Sequence, residues 1–275
     1  MPEYPEVEAL REQLEERLDG QVVERTGPAH VATLKTIDPP LAALDGATLA
    51  TPERRGKHLL VPAHGRDLVL HLHQMSAGRI AVLDAGAKGP KRPAFSLTLE
   101  TGARLVMTER GSKKRARVGL YARAAIDQEL AHLGPEAHEI DDDTLAERLA
   151  VDSRRLHSFL RDQRALAGVG RAFANEILNR SQLSPYALSG DLDLDEIARL
   201  GEATRSALAD GLELRRRNKG DKQVYGVHKR LDEPCPNCAT PIAQVDFEEH
   251  TIYYCPQCQT RGRLLKDRRL SKLLR

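Results

Sequence analysis

No run of eighteen apolar residues occurs in this sequence, and its first thirty residues are rich in Glu and Arg instead of forming an apolar leader. The first absence excludes a membrane-spanning helix and the second a secretory signal, so the expected location is the cytoplasm. Cysteine is scarce: the chain has four, all between positions 235 and 258. Two disulfides would need an oxidising compartment, which nothing in the sequence indicates. No internal repeat or low-complexity block interrupts the 275 residues, 40% of them hydrophobic, which suffices for one large core or two ordinary ones.

Charge of one sign is locally absent as well. From Asp127 to Glu147 there are eight acidic residues and no Lys or Arg, whereas Arg110 to Arg123 holds six basic residues and no acid. Seven basic residues stand against one Asp from Arg215 to Arg230, and seven against Asp267 from Arg261 to Arg275. The net charge of +2 therefore conceals three cationic clusters, which would make a polyanion-binding face if they converge.

Val7, Leu10, Leu14 and Leu18 recur at helical spacing, with Pro5 near the start and Gly20 at the expected end of a first helix. Residues 22 to 120 alternate as short strands, FSLTLE and ARLVMT forming a hairpin about Thr101 and Gly102. Beyond Gly134 the pattern turns helical. Thr144 and Glu147 have capping-box spacing, and helices are expected near 152–166, 172–180 and 194–216. The fold class is thus α+β and multidomain: an N-terminal β-sandwich with flanking helices, a helical domain, and a small C-terminal hairpin.

That hairpin is set by CPNC and CPQC. Cys235 and Cys238, then Cys255 and Cys258, form two Cys-x-x-Cys pairs with sixteen residues between them, the spacing of a zinc ribbon. A closed four-sulfur site is structural, so one Zn²⁺ is expected to fold the hairpin. His58, His64, His71 and His73 offer a rival metal site, but no acidic partner accompanies them in a suggestive local motif.

The opening MPEYPEVE, the turn AGVGRAFANE and QVYG ahead of the four-cysteine hairpin together resemble the formamidopyrimidine-DNA glycosylase and endonuclease VIII family of base-excision repair enzymes. The resemblance runs through nearly the whole chain in order. It implies a β-sandwich catalytic domain over 1–124, a helix-two-turn-helix DNA-binding domain over 125–231, a zinc finger over 232–262 and a basic tail over 263–275. It also implies damaged double-stranded DNA as partner, bound in a cleft between domains, and a monomer associated with the nucleoid.

The resemblance makes Pro2, exposed by removal of Met1, the nucleophile, and the physical chemistry agrees. An α-amine with a pKa of ~8 is neutral in roughly one molecule in ten at pH 7, against about one in 2,500 for a lysine near ~10.4. A secondary amine can still attack the sugar C1′ and form an iminium. Glu3 becomes the acid and base partner, with Glu6 as possible catalytic support; both acids also suit the positive end of a helix. Lys57 in RRGKHLL corresponds to a phosphate-contacting lysine that assists catalysis, and Met75 in HLHQMSAG to a methionine that wedges into the DNA stack. Gly170 begins a phosphate-holding turn, and Glu176 matches an acidic position of the following helix.

Three departures stand out. Arg171 replaces the Asn that usually follows the glycines, and His250 replaces a phosphate-contacting Arg of the zinc finger. Arg110, Lys113, Lys114 and Arg115 can grip phosphates, but no aromatic follows until Tyr121 to stack on the estranged base. Weak discrimination of the opposite base is expected, and the basic tail is expected to add nonspecific DNA affinity. A silent lesion-binding protein and a zinc-ribbon regulator are the alternatives, and the intact Pro2-Glu3 pair argues against both.

Overall fold

The spacing of Val7, Leu14 and Leu18 is realised in α1 (Tyr4–Leu18), where all three side chains are buried, and Gly20 follows at φ +73°. The computed structural model describes residues 1–109, 114–217, 225–247 and 250–266. They fall into two units: Met1–Pro2 with Glu6–His132, and Glu3–Pro5 with the described residues from Leu133 onward. Arg110, Lys113 and most of the basic tail lie outside the described residues.

The first unit holds β1 (Val23–Thr26), β2 (Glu53–Arg55), β3 (His58–Pro62), β4 (Val69–His73), β5 (Gly78–Leu83), β6 (Phe95–Leu99), β7 (Arg104–Glu109), β8 (Arg117–Tyr121) and α2 (Arg123–Leu130). Two four-stranded antiparallel sheets, ordered β1-β6-β7-β5 and β2-β3-β4-β8, share one core. Phe95, Leu97 and Leu99 from one sheet meet Leu59, Val61, Leu70 and Leu72 from the other, with Val7, Leu14 and Leu18 of α1 joining them. Burying each such side chain contributes roughly 1.5–3 kcal/mol. This is the sandwich that period-two alternation predicts.

Two elements of this unit are hidden in the sequence by charge. β8 lies in the basic run, yet Val118 and Leu120 alternate into the core while Arg117 and Tyr121 take the other face. α2 spans the expected domain boundary near 124, and only Ile126 and Leu130 of its eight residues are buried.

The second unit holds α3 (Asp142–Ala150), α4 (Leu156–Arg161), α5 (Arg171–Arg180), α6 (Leu194–Arg217), the hairpin β9 (Ala243–Asp246) and β10 (Thr251–Tyr254), and α7 (Pro256–Thr260). α6 buries Leu200, Ala203, Thr204, Ala207, Leu208, Gly211 and Leu212, one stripe at helical spacing. Its start carries a reciprocal cap, in which Glu196 N–H donates to Asp193 and Asp193 N–H to Glu196.

Two helix boundaries differ from expectation. α3 is capped by Asp141, whose side chain accepts the Thr144 N–H at 2.7 Å, so Thr144 lies within the first turn instead of starting it. The helix expected over 152–166 is shorter, because Asp162 turns extended after Arg161 and accepts the Arg164 N–H. Among the described residues, no helix is long and apolar enough to cross a membrane.

Candidate active site

Pro2 is half-buried immediately before α1, and Glu3 beside it is only 4% exposed. The Glu3 carboxylate accepts N–H groups from Gly170 at 2.7 Å, Ala172 at 2.9 Å and Phe173 at 3.1 Å. These are amides at the start of α5, which its N-cap Gly170 cannot satisfy with a side chain of its own. A Cβ on Gly170 would lie 2.4 Å from the Glu3 carboxyl carbon, so glycine is required here for space. Two residues earlier, Gly168 adopts φ +103° and its carbonyl accepts the Tyr4 N–H at 2.9 Å. The GVG turn thus holds Glu3, the first acidic candidate of the motif, and Glu6 sits in the first turn of α1.

In the first unit, Lys57 follows Gly56 in the turn between β2 and β3 and is 5% exposed. The turn is braced by Arg54, which donates to the Gly56 carbonyl at 2.9 Å and to Glu8 at 2.7 Å. Burial alone would raise the Glu8 carboxyl, but hydrogen bonds from Arg11 and Arg54 outweigh it and hold the group below its ordinary value. Met75 starts the turn between β4 and β5 at φ +50°.

Behind these turns His71 and His73 share a face of β4 and meet His58 of β3. The His58 and His71 rings are hydrogen-bonded at 2.8 Å, and the His58 and His73 centroids are 4.4 Å apart. Burial pushes His58 down to about 2, His71 to about 3 and His73 to about 4, with the neighbouring positive groups adding to it. All three are neutral imidazoles at ordinary pH. They do not form a metal-binding group, because the grouping of potential ligand atoms among the described residues consists of the four cysteines.

Glu109, at the end of β7, anchors the backbone just ahead of β8. Its carboxylate accepts the Arg115 N–H at 2.8 Å and the Ala116 N–H at 3.1 Å, while the Lys114 ammonium donates to its carbonyl. Lys114 is half-buried and Arg115 exposed. A lone acid just before a basic run is the signal that identifies such an anchor.

In the second unit Arg171 is exposed at the first position of α5. His250 lies against His157 of α4, rings parallel with centroids 5.4 Å apart, and against Phe247 at 4.9 Å. Burial, then Arg161 and Arg171, push His250 down to about 4, so this zinc-finger position is uncharged at neutral pH. Glu176 acquires a definite role: its carboxylate accepts the N–H groups of Gly226, Val227 and His228 at 2.8–3.0 Å. Burial nevertheless raises its pKa.

The four cysteine sulfurs lie within 4.8 Å of one another and none is in a disulfide. Individual separations are 3.2 Å for Cys238 and Cys258, 3.5 Å for Cys238 and Cys255, and 4.0 Å for Cys235 and Cys258. Four sulfurs at about 2.3 Å from a tetrahedral zinc stand about 3.8 Å apart, so this donor set fits such an ion. Asn179 of α5 donates to Cys235 Sγ at 3.7 Å and to Gln259 at 3.3 Å, tying the ribbon to the helix that Glu3 caps.

Residues 1–113 match the family model of the formamidopyrimidine-DNA glycosylase N-terminal domain, and residues 133–222 match its H2TH domain. The chain belongs to the formamidopyrimidine-DNA glycosylase family. A formamidopyrimidine-DNA glycosylase of Chloroflexus aurantiacus is 30% identical over 276 residues, covering 94% of this chain and 98% of the relative. An uncharacterized formamidopyrimidine-DNA glycosylase-like protein of Mycobacterium tuberculosis is 38% identical over 152 residues, or 52% of this chain and 94% of its own length. The fold matches a Lactococcus lactis family member in complex with Fapy-dG-containing DNA, with a TM-score of 0.85 at 22% identity, covering 94% of this chain and 100% of that one. MutM in complex with carbocyclic 8-oxo-G-containing DNA gives the same score at 23% identity and covers 94% of this chain.

Proposed function

We propose that this protein is a DNA base-excision repair enzyme, a bifunctional glycosylase and abasic-site lyase acting as a monomer on oxidised or ring-opened bases in duplex DNA. The observation that carries this reading is the Glu3 carboxylate held by three α5 amides, one peptide bond from Pro2. Family membership supplies the reaction class.

After Met1 is removed, the Pro2 secondary amine attacks C1′ and the base departs with a proton. Glu3 donates a proton to the ring oxygen of the sugar as it opens, leaving an iminium between Pro2 and C1′. The iminium acidifies the proton on C2′. Its loss expels the 3′ phosphate, a second elimination expels the 5′ phosphate, and hydrolysis frees Pro2. Lys57 contacts phosphate beside the reacting sugar and Met75 occupies the space left in the stack.

Lys114, Arg115, Arg171 and His250 are proposed contacts to the DNA backbone, together with Arg110 and Lys113; the phosphate-holding role expected of Gly170 is not kept, because Gly170 is buried and its N–H is donated to Glu3. One Zn²⁺ held by Cys235, Cys238, Cys255 and Cys258 folds the ribbon and takes no part in the chemistry. The test is a duplex with one abasic site, labelled at either end. The proposal expects phosphate on both sides of a one-nucleotide gap; an intact strand bound without cleavage would overturn it.

A further inference from the structure

Lys57 and Met75 occupy neighbouring turns at one end of the same sheet. The ladder pairs Leu59 with Leu72, so His58 and His73 face each other one step further along, and Lys57 and Met75 lie just beyond them. Between the two turns stands His73, 7% exposed, with its ring 4.4 Å from that of His58. Its Nδ1 accepts the backbone N–H of Met75 at 3.2 Å.

That contact coincides with an unusual backbone. Met75 has φ +50°, a region that residues with a Cβ enter at a cost and that needs support from its surroundings. The turn is closed on its far side by Gly78, whose N–H donates to the Gln74 carbonyl at 2.8 Å. A Cβ at Gly78 would lie 2.5 Å from that oxygen, so this pinch is available only to glycine. His73 supports one end of the turn and Gly78 closes the other, leaving Met75, Ser76 and Ala77 between them.

We infer that His73 is a positioning residue for the DNA-inserting methionine, its Nδ1 holding Met75 in the left-handed conformation that presents the side chain to the base stack. The inference rests on the proposed role of Met75 and gives it a structural cause. For Nδ1 to accept, His73 must be neutral there, which agrees with its burial and with the positive Lys57 nearby. The hydrogen-bonded His58 and His71 rings, also neutral, stack on each other, and His58 lies tilted at 39° against His73. This imidazole cluster backs the ring that supports the wedge.

The test separates wedge positioning from general folding and does not depend on the lesion. A duplex carrying a tetrahydrofuran abasic analogue with 2-aminopurine beside it reports insertion by stopped-flow fluorescence, and borohydride trapping on a true abasic site reports chemistry. His73→Leu should slow the insertion phase about tenfold and trapping about fivefold. His73→Asn, whose amide oxygen replaces Nδ1, should restore both to within about threefold of wild type. In a Met75→Ala background, His73→Leu should change trapping by less than twofold, because the group it positions is gone. An unchanged insertion phase, a failed rescue by Asn, or an equal decrement in both backgrounds would overturn the inference. If the wild type itself forms no adduct, the proposed function fails first.

Discussion

The Glu3 carboxyl carbon fills the space where a side chain on Gly170 would begin, 2.4 Å from the position of its Cβ. Acid and glycine are therefore one unit, although 166 residues separate them in sequence. Gly170→Ala should displace Glu3, leave α5 amides without their acceptor, and cost about 1–3 kcal/mol of stability. Strand cleavage at an abasic site should fall by roughly two orders of magnitude, in the range of a lost general acid. Denaturant unfolding and single-turnover cleavage check the two parts. Full activity in Gly170→Ala would detach Glu3 from the chemistry.

Glu176 performs a similar service for the segment after α6. Glu176→Ala would strand the Gly226, Val227 and His228 amides, costing about 1–3 kcal/mol, and should loosen that segment. Hydrogen exchange at those amides should rise in Glu176→Ala while exchange in β3 and β4 stays as in the wild type. Unchanged protection at 226–228 would contradict the assignment.

As a proposed phosphate contact, His250 should make DNA binding pH-dependent in a defined direction. Free, it is held neutral, with its pKa pushed down to about 4. A bound phosphate favours the imidazolium and raises that value, so binding takes up a proton and tightens as pH falls through the value in the complex. His250→Arg should flatten this dependence between pH 6 and 8 and steepen the salt dependence of log K by about 0.9, one added phosphate contact. Titrations of an abasic-analogue duplex at several salt concentrations measure both. An unchanged salt slope would remove His250 from the interface.

Metal removal separates the ribbon from the sheets. Stripping zinc with a strong chelator should unfold the β9–β10 hairpin and lower DNA affinity, since the binding energy of a structural zinc is folding energy. Far-ultraviolet signal from the sandwich should persist. Cys235→Ser should reproduce the chelated state, and metal analysis should find about one zinc per chain in the wild type only. A Cys235→Ser variant with full zinc would contradict the four-sulfur site.

Much of this architecture was legible because local patterns and tertiary demands coincide. The Val7, Leu14 and Leu18 stripe, the hairpin at Thr101 and Gly102, and the cysteine pairs each satisfy their period and their partners at once. β8 is covered only by the general strand pattern over 22–120, and α2 is not legible, because β8 sits inside a basic run and α2 carries only two buried apolar side chains. In both, packing against the sandwich decides the structure. The same limit applies to the site. Pro2, Glu3 and the GVG turn stand out as motifs, but no spacing rule shows that Glu3 caps α5, that Glu176 holds 226–228, or that His73 reaches the Met75 amide.

Covalent catalysis by Pro2 is tested most directly by borohydride trapping on a duplex with one abasic site. An adduct is expected that peptide mapping places on Pro2, in protein lacking Met1, and whose yield collapses in Pro2→Gly. Tight binding without any adduct, or an adduct on a lysine that persists in Pro2→Gly, would contradict it.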